Sequence, residues 1–385
     1  MQISVTRRQA RNVLLALSVA ALSGCSMFSS PDPRFTPTPL TEYAAGISAQ
    51  VAWSTSIGSG GGPGFAPQVV GDSVYAATPS GSVAKVDLAT GAIQWRAEAG
   101  RGLSAGAGSD GRVTAVAATG GAVIAFDDQG KELWRAKASS EVNIPPAVGG
   151  GVVAVRSSDY RIQAFDEQTG EPLWNVQRPG PALALKTNMR MIIVEGLLLS
   201  GLPNGKFIAI DAHSGAVQWE GTVSVSQGAT DLERISDVVG APQVQGPLLC
   251  GVAYQGRMAC FDVSQGGRML WDKRFSSTTG MTMDNQLAYA ADQRSSVHAL
   301  ALADGHEVWK QDALRNRALS GPAVVPQAVA FGDLEGYVHF LSRSSGDLLG
   351  RVQVGGGAIV SPLTATTRGV LAQTGSGSLV LVGVN

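Results

Sequence analysis

The 385-residue chain is expected to fold as an all-β, eight-bladed β-propeller of four-stranded antiparallel blades, on three grounds. Six of its seven tryptophans close the same phrase, Gly-x-x-x-Trp, at Gly91/Trp95, Gly130/Trp134, Gly170/Trp174, Gly215/Trp219, Gly267/Trp271 and Gly305/Trp309. An apolar run before each phrase ends in a column held by Asp87, Asp127, Asp166, Asp211 and Asp262, and the column continues at Ala301, Ser342 and Gly383. Those eight positions lie 40, 39, 45, 51, 39, 41 and 41 residues apart, a spacing in the range of four-stranded propeller blades.

Within one unit each element has its own signature. Six positions before the column stands a turn residue: Gly81, Gly121, Tyr160, Gly205, Gly256, Ser295, Gly336 and Gly377. Glycine there permits the positive φ of a tight hairpin. Twelve positions before the column, the apolar residues Tyr75, Ala115, Ala154, Leu199, Cys250, Tyr289, Ala330 and Leu371 mark second strands, and the residues between turn and column form third strands. Pro67, Pro146, Pro242, Pro322 and Pro362 mark where first strands begin, a place where a missing N–H costs little. Asp-x-x-Thr/Ser-Gly then makes the second hairpin, because Asp can bond the backbone two residues on.

The tryptophan follows on the outermost strand. A large ring at the same place in every blade is expected to pack against the neighbouring blade, so Trp53, Trp95, Trp134, Trp174, Trp219, Trp271 and Trp309 read as structural. Trp53 belongs to the same scheme. The eighth unit runs out of chain after its third strand, Ser378 to Val382, and Val51 to Thr55 is an orphan tryptophan-bearing strand that can complete it and close the ring. The seventh unit has Gly350 where its tryptophan belongs, which predicts a softer blade interface there.

The chain ends read differently. Residues 1–24 carry Arg7, Arg8 and Arg11 ahead of the apolar run Val13 to Leu22, which suits a secretory signal and is too short to span a bilayer. Leu22-Ser23-Gly24-Cys25 resembles a bacterial lipobox, which implies lipidation of Cys25, and Ser26 after it implies sorting to the outer membrane. Residues 25–49 are rich in Pro, Ser and Thr and are expected to be an extended tether, leaving 50–385 for the propeller.

Composition limits the chemistry. Without the three signal arginines, 26 basic side chains face 30 acidic ones, a net charge of −4 that draws nothing toward nucleic acid. Cys250 and Cys260 fall in core columns and flank the turn at Gly256, where a favourable register would let them pair. His213 and His306 lie in turns; His298 and His339 share a strand position in neighbouring units, with no third ligand patterned beside them, so no metal site is expected. Gly106 to Gly111 spells a dinucleotide fingerprint and Gly102 to Gly106 a nucleophile elbow, but neither sits between a strand and a helix.

The two long spacings carry the functional expectation. Most of the extra residues fall after Trp174 and after Trp219, in connections that run from the outer strand of one blade to the inner strand of the next, on one face. Enlarged loops on one face of a repeat array are commonly its binding surface.

An array of Ala-x-Asp-x-x-x-Gly-x-x-x-Trp units, clearest from Ala164 to Trp174, resembles the quinoprotein-type propellers. A lipoprotein of this length with a single propeller is similar, among these, to the propeller lipoproteins of the outer-membrane β-barrel assembly machinery. That resemblance implies a non-enzymatic scaffold without cofactors, lipid-anchored on the periplasmic face of the outer membrane. Its implied partners are the barrel subunit BamA, other assembly components and, transiently, unfolded outer-membrane proteins. It also implies contact residues in two segments: Leu183, Leu185 and Lys186 in the first, and Glu233, Arg234 and Asp237 in the second. Val239 and Lys186 depart from the acidic and Arg residues of the family pattern, and Lys lacks the bidentate fork of Arg. The competing reading is a small periplasmic dehydrogenase holding pyrroloquinoline quinone, whose relatives are usually longer and carry an adjacent-cysteine disulfide that is missing here. A third is a polysaccharide or peptidoglycan adaptor.

Overall fold

The computed structural model describes residues 32, 34–185 and 188–384. The expected signal segment 1–24 and Cys25 lie outside the described residues. Two compact units emerge, Met1–Pro37 and Thr38–Asn385. What is described of the first is a short turn in which Phe35 N–H donates to the Asp32 carbonyl at 2.9 Å.

The second unit is the propeller. Its strands form eight four-stranded sheets, each antiparallel. Blades 1 to 7 occupy residues 68–98, 103–137, 147–177, 192–222, 238–274, 281–311 and 323–353, and each runs in sequence order from its inner to its outer strand. Blade 8 joins residues 364–384 to the N-terminal strand Ala49–Ser56, which pairs with Ser378–Val384 from Ala49 opposite Val384 to Ser56 opposite Ser378. The ring closes through this strand, as the orphan tryptophan predicts, because it supplies the fourth strand of the last blade.

Among the described residues there is no single core. The buried side chains divide into eight clusters, and each cluster draws from two adjacent blades. The tryptophans sit at these seams by one rule: each indole lies against the phrase glycine of the following blade. Trp53 meets Gly91, Trp95 meets Gly130, and so on through Trp309 on Gly346, so close that a Cβ on any of these glycines would fall within 2.8 Å of the ring. Each glycine also holds a positive φ, which a side chain would strain. Five indoles donate to the carbonyl just after the column in the next blade, Trp53 to Leu88, Trp134 to Glu167, Trp174 to Ala212, Trp271 to Leu302 and Trp309 to Arg343, at 2.7–3.0 Å.

Local chemistry explains the hairpins. Asp87 Oδ1 accepts from both the N–H and the hydroxyl of Thr90, and Asp166 with Thr169 and Asp211 with Ser214 repeat the pattern. Where the turn column is not glycine, Tyr160 and Ser295 still take positive φ of 64° and 63°. Pro242 departs from expectation. It lies inside Val238–Gln245 and not at its start, at a register shift between Val239 and Gln243, where the bulge removes the need for its N–H. The register sets Cys250 directly opposite Cys260, and the two are joined in a disulfide.

The seam after blade 7 departs in a more informative way. With Gly350 in place of tryptophan, the ring slot is filled by Ile47, whose Cγ1 lies 3.0 Å from where a Gly350 Cβ would be. Ile47 and Ala49 pack on the cluster of Phe340, Val370 and Val382, so the interface expected to be soft is supplied from elsewhere in the chain. Among the described residues, no helix is long and apolar enough to cross a membrane.

Candidate functional site

Strands alternate in direction within a blade, so the connections between blades share one face with the turns between second and third strands. The longest connections on this face are residues 178–191, between blades 3 and 4, and 223–237, between blades 4 and 5. They are neighbours, and the structure ties them together. Leu185 N–H donates to Asp237 Oδ2 at 2.5 Å. Met189 bridges to Gly240 in parallel, with Arg190 N–H donating to the Gly240 carbonyl at 3.1 Å.

Beneath the first connection sits Tyr160, one of the two residues that break the glycine column. Its hydroxyl donates to the Pro181 carbonyl at 2.8 Å, and its ring lies so close to Gly180 that a Cβ there would fall 1.8 Å from Cδ2. A tyrosine in a turn that holds glycine in six of the eight units is thus a prop for the loop above it. Arg156 is buried alongside. Its guanidinium donates to Ser200 Oγ at 3.2 Å, to the Gly201 carbonyl and to Met189 Sδ. Burial pulls its pKa down to about 10.

Asp237 is fully buried. Burial pushes its carboxyl up to about 6, and the Leu185 N–H and the Arg156 charge oppose this only in part. Its second oxygen, Oδ1, has no hydrogen bond among the described residues. Asp237 therefore holds the Leu185 segment from below and presents no surface of its own.

The Leu-x-Leu pair splits. Leu185 is half-buried and packs on two clusters, one between blades 3 and 4 and one between blades 5 and 6. Leu183 is 42% exposed. On the second connection Val225 and Leu232 are 68% and 67% exposed, two aliphatic side chains that composition alone gave no reason to single out. Leu232 rides on one helical turn with a reciprocal cap: Glu233 N–H donates to Thr230 Oγ1, and Glu233 Oε2 accepts from Ala229 and Thr230 N–H at 2.8 and 3.0 Å. Those bonds hold the exposed Glu233 carboxyl below its usual range. Arg234 is exposed, with its Nε donating to the Gly228 carbonyl. Lys186 lies outside the described residues.

The channel on the propeller axis is the place where a quinone reading would put its ligand. It contains a cavity of about 240 Å³ lined by Pro145, Pro322, Pro362, Met281 and other residues of the inner strands and the connections that lead into them. Its charged lining residue is Arg190, which reaches across to the Ala107 carbonyl at 3.2 Å, and the described lining includes no carboxylate. That donor set does not suit a calcium ion, which takes several carboxylate or carbonyl oxygens.

Comparison with known proteins agrees with this geometry. The profile of the family described as outer membrane protein assembly factor BamB matches residues 79–311 and 293–383. The chain is 59% identical over 375 residues to the outer membrane protein assembly factor BamB of Bordetella pertussis, covering 97% of each chain. It is 40% identical to that of Burkholderia pseudomallei, covering 97% of this chain and 98% of the other. Among solved structures it resembles BamB from Moraxella catarrhalis, with a TM-score of 0.80 at 23% identity over 87% of this chain and 100% of that one, a likeness of fold. On the full-length matches and the family profile together, the chain belongs to the BamB family of outer membrane protein assembly factors.

Proposed function

We propose that this chain is a non-enzymatic scaffold lipoprotein of the outer-membrane β-barrel assembly complex, which docks BamA through the enlarged connection face. The observation that carries this reading is the pair of adjacent long connections, zipped together by Asp237 and Gly240 and exposing Leu183, Val225 and Leu232. Aliphatic side chains held on a braced surface are suited to bury against a partner, each worth about 1.5–3 kcal/mol when fully covered. Bracing lowers the ordering cost of binding. Leu183, Leu232, Glu233 and Arg234 form the contact, and Lys186 joins them from the same segment. Leu185, Asp237, Tyr160 and Arg156 position it. Cys25 carries the lipid that keeps the protein at the periplasmic face of the outer membrane.

The test is co-purification of BamA with Leu183→Arg and Leu232→Arg variants. A charge in the desolvated centre of a contact should cut recovery by about tenfold or more while the urea midpoint stays put. Full recovery with both variants would place docking elsewhere. Leu185→Arg is unsuitable as a probe, because Leu185 is packed in two blade clusters and its replacement would disturb the fold.

A further inference from the structure

The segment from Thr38 to Ile47 is bound along its length to blade 7. Thr38 N–H donates to the Arg315 carbonyl at 2.9 Å, and its own carbonyl accepts from Arg317 Nη1 at 3.1 Å. Arg317 is itself buried, with Nε donating to Asp333 Oδ2 at 2.8 Å; the same oxygen lies 2.8 Å from His339 Nε2. Further along, Arg351 donates to the Thr41 carbonyl, and its guanidinium lies 5.3 Å from the Tyr43 ring and 5.7 Å from Tyr337. Gly46 N–H donates to the Leu349 carbonyl at 2.9 Å, and Ile47 takes the empty ring slot at Gly350.

These contacts fix a direction. Arg315 and Arg317 lie in the connection between blades 6 and 7, on the face that carries residues 178–191 and 223–237. The closing strand begins at Ala49, opposite Val384, which is the end of a third strand and so lies toward the other face. The segment therefore descends the outside of blade 7 from the connection face before the chain turns back up as the closing strand.

We propose that residues 38–48 are a strap that replaces the missing seventh tryptophan and fixes the point where the upstream chain leaves the propeller, so that a membrane anchor attached there draws the connection face toward the bilayer. The orientation rests on the lipidation of Cys25 proposed above; the strap itself does not. Covalent geometry sets the scale. From Cys25 to Thr38 the chain can reach at most about 45 Å, whereas a tether free up to Ala49 would reach about 85 Å. Strapping thus halves the leash, and selects which face it pulls.

Two measurements test this. In hydrogen exchange of the intact protein, the amides of Thr38 and Gly46 should exchange at least about tenfold more slowly than in an N-acetylated synthetic peptide of residues 36–48. Peptide-like rates would overturn the strap. For orientation, the lipidated protein is bound to phosphatidylethanolamine and phosphatidylglycerol vesicles bearing acceptor-labelled lipid. A donor dye is placed on Leu232→Cys, on the connection face, or on Val263→Cys, on the opposite one. Cys250 and Cys260 are paired and do not take the label. Transfer should be stronger from position 232, and should fall when Ile47→Asp and Arg317→Ala release the strap. Equal transfer from both positions, or stronger transfer from 263, overturns the orientation. Flotation of the same samples with vesicles reports anchoring separately: protein that stays at the bottom refutes the lipid reading and the orientation built on it, and leaves the exchange result to decide the strap.

Discussion

Asp237→Asn should remove a pH dependence of stability that the wild-type chain carries. In the folded protein burial raises this carboxyl to about 6, against 3.8 for the free side chain. Between those values the folded state binds a proton that the unfolded state does not, so this group adds stability as pH falls below about 6 and withdraws it as pH rises through that value. Integrating the difference gives on the order of 1 kcal/mol more stability at pH 5.0 than at pH 7.5 from Asp237 alone. Other carboxylates held below their usual range, such as Asp87 and Asp166, work in the opposite sense, so the raw pH profile does not isolate the effect. The difference between wild type and Asp237→Asn does, because those groups are common to both. Asparagine keeps an acceptor for the Leu185 N–H and cannot titrate. The assay is urea unfolding of both proteins at pH 5.0 and 7.5. A gap between them that stays constant within about 0.4 kcal/mol across the two pH values would refute the raised carboxyl, and with it the picture of Asp237 as a desolvated brace under the loop.

Trp174→Ala should cost about 3 kcal/mol in urea unfolding, since it empties the seam over Gly215 and removes the bond to the Ala212 carbonyl; a loss under about 1 kcal/mol would contradict the seam rule. Cys25→Ala should abolish incorporation of labelled palmitate, and unchanged labelling would refute lipidation at this residue. Deleting Gln50 to Ile57 should lower stability and raise aggregation far more than deleting Ser30 to Pro39, because only the former opens blade 8; equal melting would argue against closure by this strand.

Repetition is what made the fold legible. A residue type repeated at one place in each of eight units reports a local requirement, whether a glycine for a positive φ, an Asp for a hairpin or a tryptophan for a seam, and such requirements survive being read one unit at a time. The orphan Trp53 and the truncated last unit were enough to predict closure. Even the location of the long connections followed from spacing alone, since chain order in a blade dictates the face on which each connection runs.

What the sequence left open were the contacts between residues far apart in the chain, which have no period. Leu183 and Leu185 look alike in the sequence, yet the turn over Tyr160 exposes one and packs the other between blades. Asp237 reads as a surface acid until the tertiary structure places it beneath a loop 52 residues upstream. Ile47 sits in a stretch whose prolines suggest a solvated tether, and only the vacancy at Gly350, near the other end of the chain, gives it a place to bind. Period and local chemistry determined the blades; the irregular positions, where one unit lacks what the others have, were decided by whichever distant segment could fill them.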